Sequence, residues 1–201
     1  MISVFANNSV VQIAVTRKNG STSIHALVFE ALGQSWNVNT SSKKYWLGSE
    51  YFVNRLKNLG SDLEVTDRVC VLRDPVDRMR STYVHSVANH KRTPFEQGSI
   101  PSWSEFLENF DSIRARHSKI RIHSEPQVDS IGPASNYDKV FLTPQISTDF
   151  VEWFNSTASV NLRPVHKKNL RSNKISVTAE DREIIQQIYS RDYEAYSLYF
   201  S

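Results

Sequence analysis

Apolar residues along the chain fall into two kinds of run. Residues 10–15 (VVQIAV) and 69–72 (VCVL) form short, largely apolar runs rich in β-branched side chains, which fit strands buried on both faces of a parallel sheet. The opening stretch MISVFANNSVVQIAV reads as one strand ending at Val15, and residues 139–142 as a further strand. Trp36, Val38 and Thr40 alternate with polar residues, the pattern of a strand at a sheet edge. Elsewhere the apolar positions recur at helical spacing. Ile24, Leu27, Val28, Ala31 and Leu32 mark one helix that Gly33 can stop, and Tyr51, Phe52, Leu56 and Leu59 mark a second that Gly60 can stop. Val76, Met79, Tyr83 and Val87 form a third stripe, Trp103, Phe106, Leu107 and Phe110 a fourth, and Phe150, Val151 and Phe154 a fifth. Thr178 with Asp181 approximates a capping box ahead of a last helix whose apolar side is Ile184, Ile185, Ile188 and Tyr189. Strands alternating with helices predict an α/β fold with a mainly parallel central sheet.

Two junctions in this pattern carry chemistry. The loop TRKNGSTSI at residues 16–24 and the turn VLRDPVDRMRSTY at residues 71–83 each follow an apolar run and open a helix, so each can aim main-chain N–H groups and a basic side chain at an anion. In the first, Lys18 supplies charge, Gly20 permits close approach of the backbone, and Ser21, Thr22 and Ser23 offer hydroxyls beside the helix's first N–H groups. In the second, Arg73 emerges at the carboxyl end of a strand, Asp74 can cap the helix, and Pro75 suits its first turn. Ser81 lies about 9 Å further along the helix axis, so Arg73 and Ser81 can hold one phosphate beside the helix. Two such cradles predict a ligand with two phosphate ends. In the Walker loop the Lys follows the second Gly of GxxxxGK[ST], whereas Lys18 precedes Gly20, which speaks against nucleoside triphosphate hydrolysis.

Composition adds bounds. The 201 residues, 39% of them hydrophobic, suit a single domain spanning 1–201, with no linker or repeat to divide it. A net charge of +3 and a pI near 9.0 favour an anionic ligand but fall short of a nucleic-acid polymer as partner. The lone cysteine, Cys70, excludes an intrachain disulfide and cysteine-built metal sites, and no metal is expected. No apolar stretch reaches the length of a membrane span, and the first residues carry no basic leader, so a reducing, cytoplasmic setting is expected. Asn7, Asn19, Asn39 and Asn155 begin Asn-x-Ser/Thr triplets, read as chance matches in that setting.

KNGSTS at residues 18–23 resembles the 5′-phosphosulfate loop of sulfotransferases that use 3′-phosphoadenosine 5′-phosphosulfate (PAPS), and RDPVDRMRSTY at residues 73–83 resembles their 3′-phosphate element, in the same order. The resemblance to the carbohydrate-type branch covers most of the chain, with the two motifs carrying most of its specificity. HSEPQ at residues 123–127 is similar to its His-x-x-Pro-Gln stretch, and DREIIQQIYSRDYEAY to its last helix. The resemblance implies a three-layer sandwich of the P-loop NTPase-like sulfotransferase type. It implies that Lys18 contacts the phosphosulfate and steadies the leaving group, that residues Asn19, Gly20, Ser21, Thr22 and Ser23 bind the 5′-phosphate, and that Arg73 and Ser81 bind the 3′-phosphate. Arg17 stands where the family commonly has Pro and brings a second charge to the site. The basic stretch at residues 161–174 resembles a late segment that folds over the nucleotide in related enzymes, which makes His166, Lys167, Lys168 and Arg171 candidate lid residues. A solvent-facing loop is the alternative.

The reaction so implied is in-line sulfuryl transfer to an acceptor hydroxyl or amine, with adenosine 3′,5′-bisphosphate (PAP) as product and positioning plus charge stabilisation as the protein's task. A small molecule or a glycan is the acceptor expected. A hydroxyl acceptor needs a general base. Glu50, after Gly48 at the start of a helix, is the first choice, with Glu30 and His85 in reserve. Two other readings remain open at this point, a P-loop kinase or other nucleotide-binding protein and a non-catalytic module that binds PAP.

Overall fold

The computed structural model describes residues 2–6, 9–31, 65–89, 93–96, 99–163 and 175–200. In chain order the elements are β1 (Ile2–Ala6), β2 (Ser9–Val15), α1 (Ser21–Ala31), β3 (Val65–Leu72), α2 (Pro75–Ser86), α3 (Trp103–Glu108), α4 (Phe110–Arg116), α5 (Ser118–Ser124), α6 (Gln127–Ile131), β4 (Lys139–Leu142), α7 (Asp149–Ala158), α8 (Ala179–Ile188) and α9 (Ser190–Ala195), with 3₁₀ turns at Ala134–Asn136 and Thr143–Ser147. The fold is mixed α/β. It gathers into two compact units, the first formed by residues 1–15, 20–72 and 134–167 and the second by residues 16–19, 73–133 and 168–201.

The first unit holds the sheet. Its strand order is β1-β2-β3-β4, with β2, β3 and β4 parallel and β1 antiparallel on the edge. Val11 and Ile13 of β2 and Val69 and Val71 of β3 turn one face toward Ile24, Leu27 and Val28 of α1 and Phe150, Val151 and Phe154 of α7. Val10, Ala14, Cys70 and Leu72, which point the other way, are buried too. Burial on both faces is what the largely apolar runs predict, and each enclosed branched side chain contributes about 1.5–3 kcal/mol. Thr143 secures the exit of β4 by donating its hydroxyl to the Leu72 carbonyl at 3.0 Å.

The second unit is helical. Asp74 accepts a hydrogen bond from the Asp77 N–H at 3.0 Å and Pro75 opens α2, as their residue types predict. Val76 and Met79 of α2 pack with Phe106, Phe110, Ile120, Ile185 and Tyr189. Arg78 is buried among them, its guanidinium carbon 5.8 Å from the centre of the Tyr189 ring, whose negative face offsets part of the cost of enclosing a charge. The Thr178 and Asp181 box at the start of α8 closes in both directions, and Asp181 also accepts from Trp103 Nε1 at 3.1 Å.

Several elements differ from the sequence expectation. The opening stretch is two antiparallel strands, with Ala6 paired to Ser9, and the Asn-Asn between them is a turn signal that a single-strand reading passes over. β3 begins at Val65, ahead of the apolar run at residues 69–72, because pairing with β2 extends it beyond its apolar half. Residues 121–136, for which the hydrophobic pattern marked no helix, contain the end of α5 and all of α6. The stripe beginning at Trp103 breaks at Asn109 into α3 and α4, and the last helix breaks at Tyr189 into α8 and α9. That second break turns the chain so that Asp192 becomes buried and the Tyr189 hydroxyl reaches the Ser124 carbonyl at 3.0 Å. The expected strand at Trp36–Thr40, the helix around Tyr51–Leu59 and the stops at Gly33 and Gly60 lie outside the described residues. Among the described residues no helix is long and apolar enough to cross a membrane.

Candidate functional site

Val15 and Val71 are register partners on adjacent parallel strands. The lysine loop and the arginine turn therefore leave neighbouring strands at their carboxyl ends, the edge at which open α/β sheets bind ligands. The loop is tight. The Asn19 N–H returns to the Thr16 carbonyl at 3.3 Å, and Lys18 sits in the left-handed region at φ 71. For a residue with a Cβ that conformation costs about 1–2 kcal/mol, so contacts around it must hold it.

Those contacts come from Arg73 and Gln127. Arg73 Nη1 donates to the Lys18 carbonyl at 2.8 Å, which joins the two sequence motifs directly. Gln127, with 0% of its surface exposed, joins them a second time. Its Oε1 accepts from Asn19 Nδ2 and from the Arg73 N–H, the latter at 3.0 Å. Its Nε2 donates to the Arg73 carbonyl at 3.0 Å and to Asp192 Oδ2 at 3.3 Å. The side-chain amide thus reads both main-chain groups of Arg73 as a neighbouring strand would, and its two acceptor and two donor positions are all used. Asp192, itself buried, also accepts from the Gln127 N–H and the Val128 N–H, each at 2.9 Å.

Burial lowers the pKa of the Arg73 guanidinium, and Arg78 and Arg80 lower it further while Asp77 and Asp74 oppose them. Its ordinary value is so high that it stays cationic, with four of its five N–H donors beyond the one given to Lys18. Asp77 forms its ion pair with Arg80, at 3.2 Å. Ser81 lies on α2 with 2% of its surface exposed, and Arg17 is exposed at the loop's tip. Asn19, expected to bind the ligand, is buried and turned to Gln127, so its side chain anchors the loop.

In the first unit the loop continues through Gly20 into α1. Gly20 adopts φ 81, and a Cβ there would stand 2.3 Å from Ile146 Cδ1. The room that glycine leaves is filled by Ile146, so packing as well as backbone conformation requires it. Ser21, Thr22 and Ser23 form the first turn of α1, where the Ser23 and Ile24 N–H groups already donate to the Gly20 carbonyl at 2.8 and 3.1 Å. His25 Nδ1 meets the Ser21 carbonyl at 2.5 Å. Since a carbonyl only accepts, Nδ1 carries the proton and Nε2 is the basic nitrogen, while burial lowers the ring's pKa.

Of the proposed bases, Glu50 lies outside the described residues, as do His166, Lys167, Lys168 and Arg171. Glu30 is exposed on α1, and His85 is half-buried in the last turn of α2. The sequence reading gave no role to His123. Its Nδ1 lies 2.8 Å from Ser86 Oγ, its carbonyl accepts from Thr82 Oγ1 at 3.1 Å, and its ring meets that of His85 edge-on at 5.3 Å. Burial, followed by the positive charges of Lys18, His85, Arg17 and Lys119, pushes its pKa down to about 3, so the ring is neutral near pH 7. His123 and Gln127 open and close the HSEPQ stretch, so that resemblance was the signal for both. Among the described residues no group of three or more His, Cys, Asp or Glu side chains is placed to hold a metal ion. No protein-family model matches the chain, and no curated protein matches it either.

Proposed function

We propose that the chain is a PAPS-dependent sulfotransferase of the P-loop NTPase-like, three-layer type, acting on a hydroxyl or amine, with a carbohydrate as the acceptor class the resemblance favours. The observation that supports it most is the hydrogen bond from Arg73 to the Lys18 carbonyl, doubled by Gln127. Two segments far apart in the chain, each matching one phosphate element of those enzymes, are fastened to one another by a bond that uses one N–H of the Arg73 fork and leaves most of that fork for a ligand. PAPS supplies the sulfuryl group and the phosphate on which charge develops as the bond to sulfur breaks. Lys18 stabilises that charge, assisted by Arg17 and the hydroxyls of Ser21, Thr22 and Ser23. Arg73 and Ser81 hold the 3′-phosphate and so fix the reacting end. A hydroxyl acceptor would pass its proton to Glu50, the first choice from the sequence, with Glu30 and His85 in reserve.

Thermal shift and calorimetry with adenosine 3′,5′-bisphosphate, set against ATP with magnesium, test the reading. Bisphosphate binding that Lys18→Glu abolishes, together with transfer of labelled sulfate from PAPS to a glycan mixture, is the expected result. Binding of ATP with magnesium and not of the bisphosphate points to a kinase and overturns it.

A further inference from the structure

We propose that Gln127 is a positioning residue that sets the lysine loop against the Arg73 turn, and that Asp192 holds its side-chain amide in the one orientation able to do so. The amide must present oxygen to Asn19 Nδ2 and the Arg73 N–H, and nitrogen to the Arg73 carbonyl. Rotated by half a turn it would oppose donor to donor and acceptor to acceptor at all three. Asp192 removes that choice, because a carboxylate accepts from Nε2 and repels Oε1. The same carboxylate takes the main-chain N–H groups of Gln127 and Val128, so the start of α6 is pinned along with the side chain. Neither residue needs to touch a ligand. Their effect reaches it through the left-handed Lys18 and through Arg73.

For its affinity readout the proposal rests on the nucleotide reading above, and for its exchange readout it does not. Three variants of the full chain separate the alternatives: Gln127→Met, which keeps the shape and loses the polar atoms; Gln127→Glu, which keeps one oxygen and sets a second acceptor against Asp192 and the Arg73 carbonyl; and Asp192→Asn. Hydrogen exchange at residues 17–20 is expected to quicken about tenfold or more in all three, with the amides of Val71 and Ile185 near their original rates. Bisphosphate affinity is expected to fall about tenfold in Gln127→Met at every pH. In Gln127→Glu, burial and Asp192 raise the new carboxyl's pKa, so affinity relative to the parent is near normal where the acid is protonated and declines as pH rises. Loop exchange within twofold of the parent overturns the proposal, as does acceleration spread evenly over the core amides, which marks plain loss of stability. If the parent chain binds no bisphosphate, the sulfotransferase reading falls, and the exchange pattern still decides the role of Gln127.

Discussion

Arg73 and Lys18 are joined through the main chain of one and the side chain of the other: the guanidinium Nη1 donates to the lysine carbonyl at 2.8 Å. A side chain expected only to grip phosphate is therefore also a brace for the loop that carries the second charge. Lysine at position 73 would keep the charge and lose the planar fork that serves two directions at once. Arg73→Lys is expected to weaken bisphosphate binding about tenfold, and Arg73→Ala more, with calorimetry as the measure.

Gly20 is constrained twice, by φ 81 and by Ile146 Cδ1 at 2.3 Å from where a Cβ would stand. Gly20→Ala is expected to cost about 2–4 kcal/mol in urea unfolding. Ile146→Val deletes the atom in the way. The double variant should recover the steric part and retain the cost of about 1–2 kcal/mol that the left-handed conformation imposes.

His123 supplies a pH dependence of stability. Its folded pKa, about 3, lies below the ordinary 6.5, so between those values the unfolded chain binds more protons than the folded one. Its contribution is complete above about pH 6.5 and is lost as pH falls toward about 3. The melting temperature of His123→Gln should consequently decline less steeply than that of the parent over this interval.

Ligand binding should shift the same group the other way. Lys18 and Arg17 are among the charges that depress the His123 pKa, and an anion bound to them cancels part of their field. The imidazole resonance, followed by NMR against pH, is expected to titrate at a higher midpoint with bisphosphate present. An unchanged midpoint would mean that the anion binds elsewhere.

Cys70 lies in the interior of β3, and burial pushes its thiol up to about 12. A thiol reagent at pH 8 should leave the folded chain untouched and label it fully in denaturant, since the thiolate is the reactive form.

What the sequence revealed of this structure follows from how local each cause is. Asp74 with Pro75 and Thr178 with Asp181 act within one turn of a helix, so residue type and spacing suffice to predict them. Ser102 with Glu105 closes an equally local box at the start of α3 and was legible on the same terms, though the reading passed over it. The breaks at Asn109 and Tyr189 were hidden for a different reason. Hydrophobic spacing continues through both, and tertiary contacts decide them: the Tyr189 hydroxyl goes to Ser124 and the Asp192 carboxylate to α6. Lys18 and Arg73 were identified from their junctions, yet their mutual contact was not, because nothing in either segment names the other. Gln127 was harder still: the HSEPQ likeness marks the residue, and its bracing role shows only when its four side-chain hydrogen bonds are counted.

The Asp192 and Gln127 pair also fixes an order of events during synthesis. Gln127 lies 108 residues beyond Asn19, and Asp192 a further 65 beyond Gln127. On the ribosome β2 and the lysine loop emerge before Arg73 and Gln127, the residues that hold the loop, and Asp192, which orients the Gln127 amide, emerges later still. The nascent chain thus gains the braces of its basic loop one at a time, Arg73 first and the oriented Gln127 amide only once Asp192 has followed.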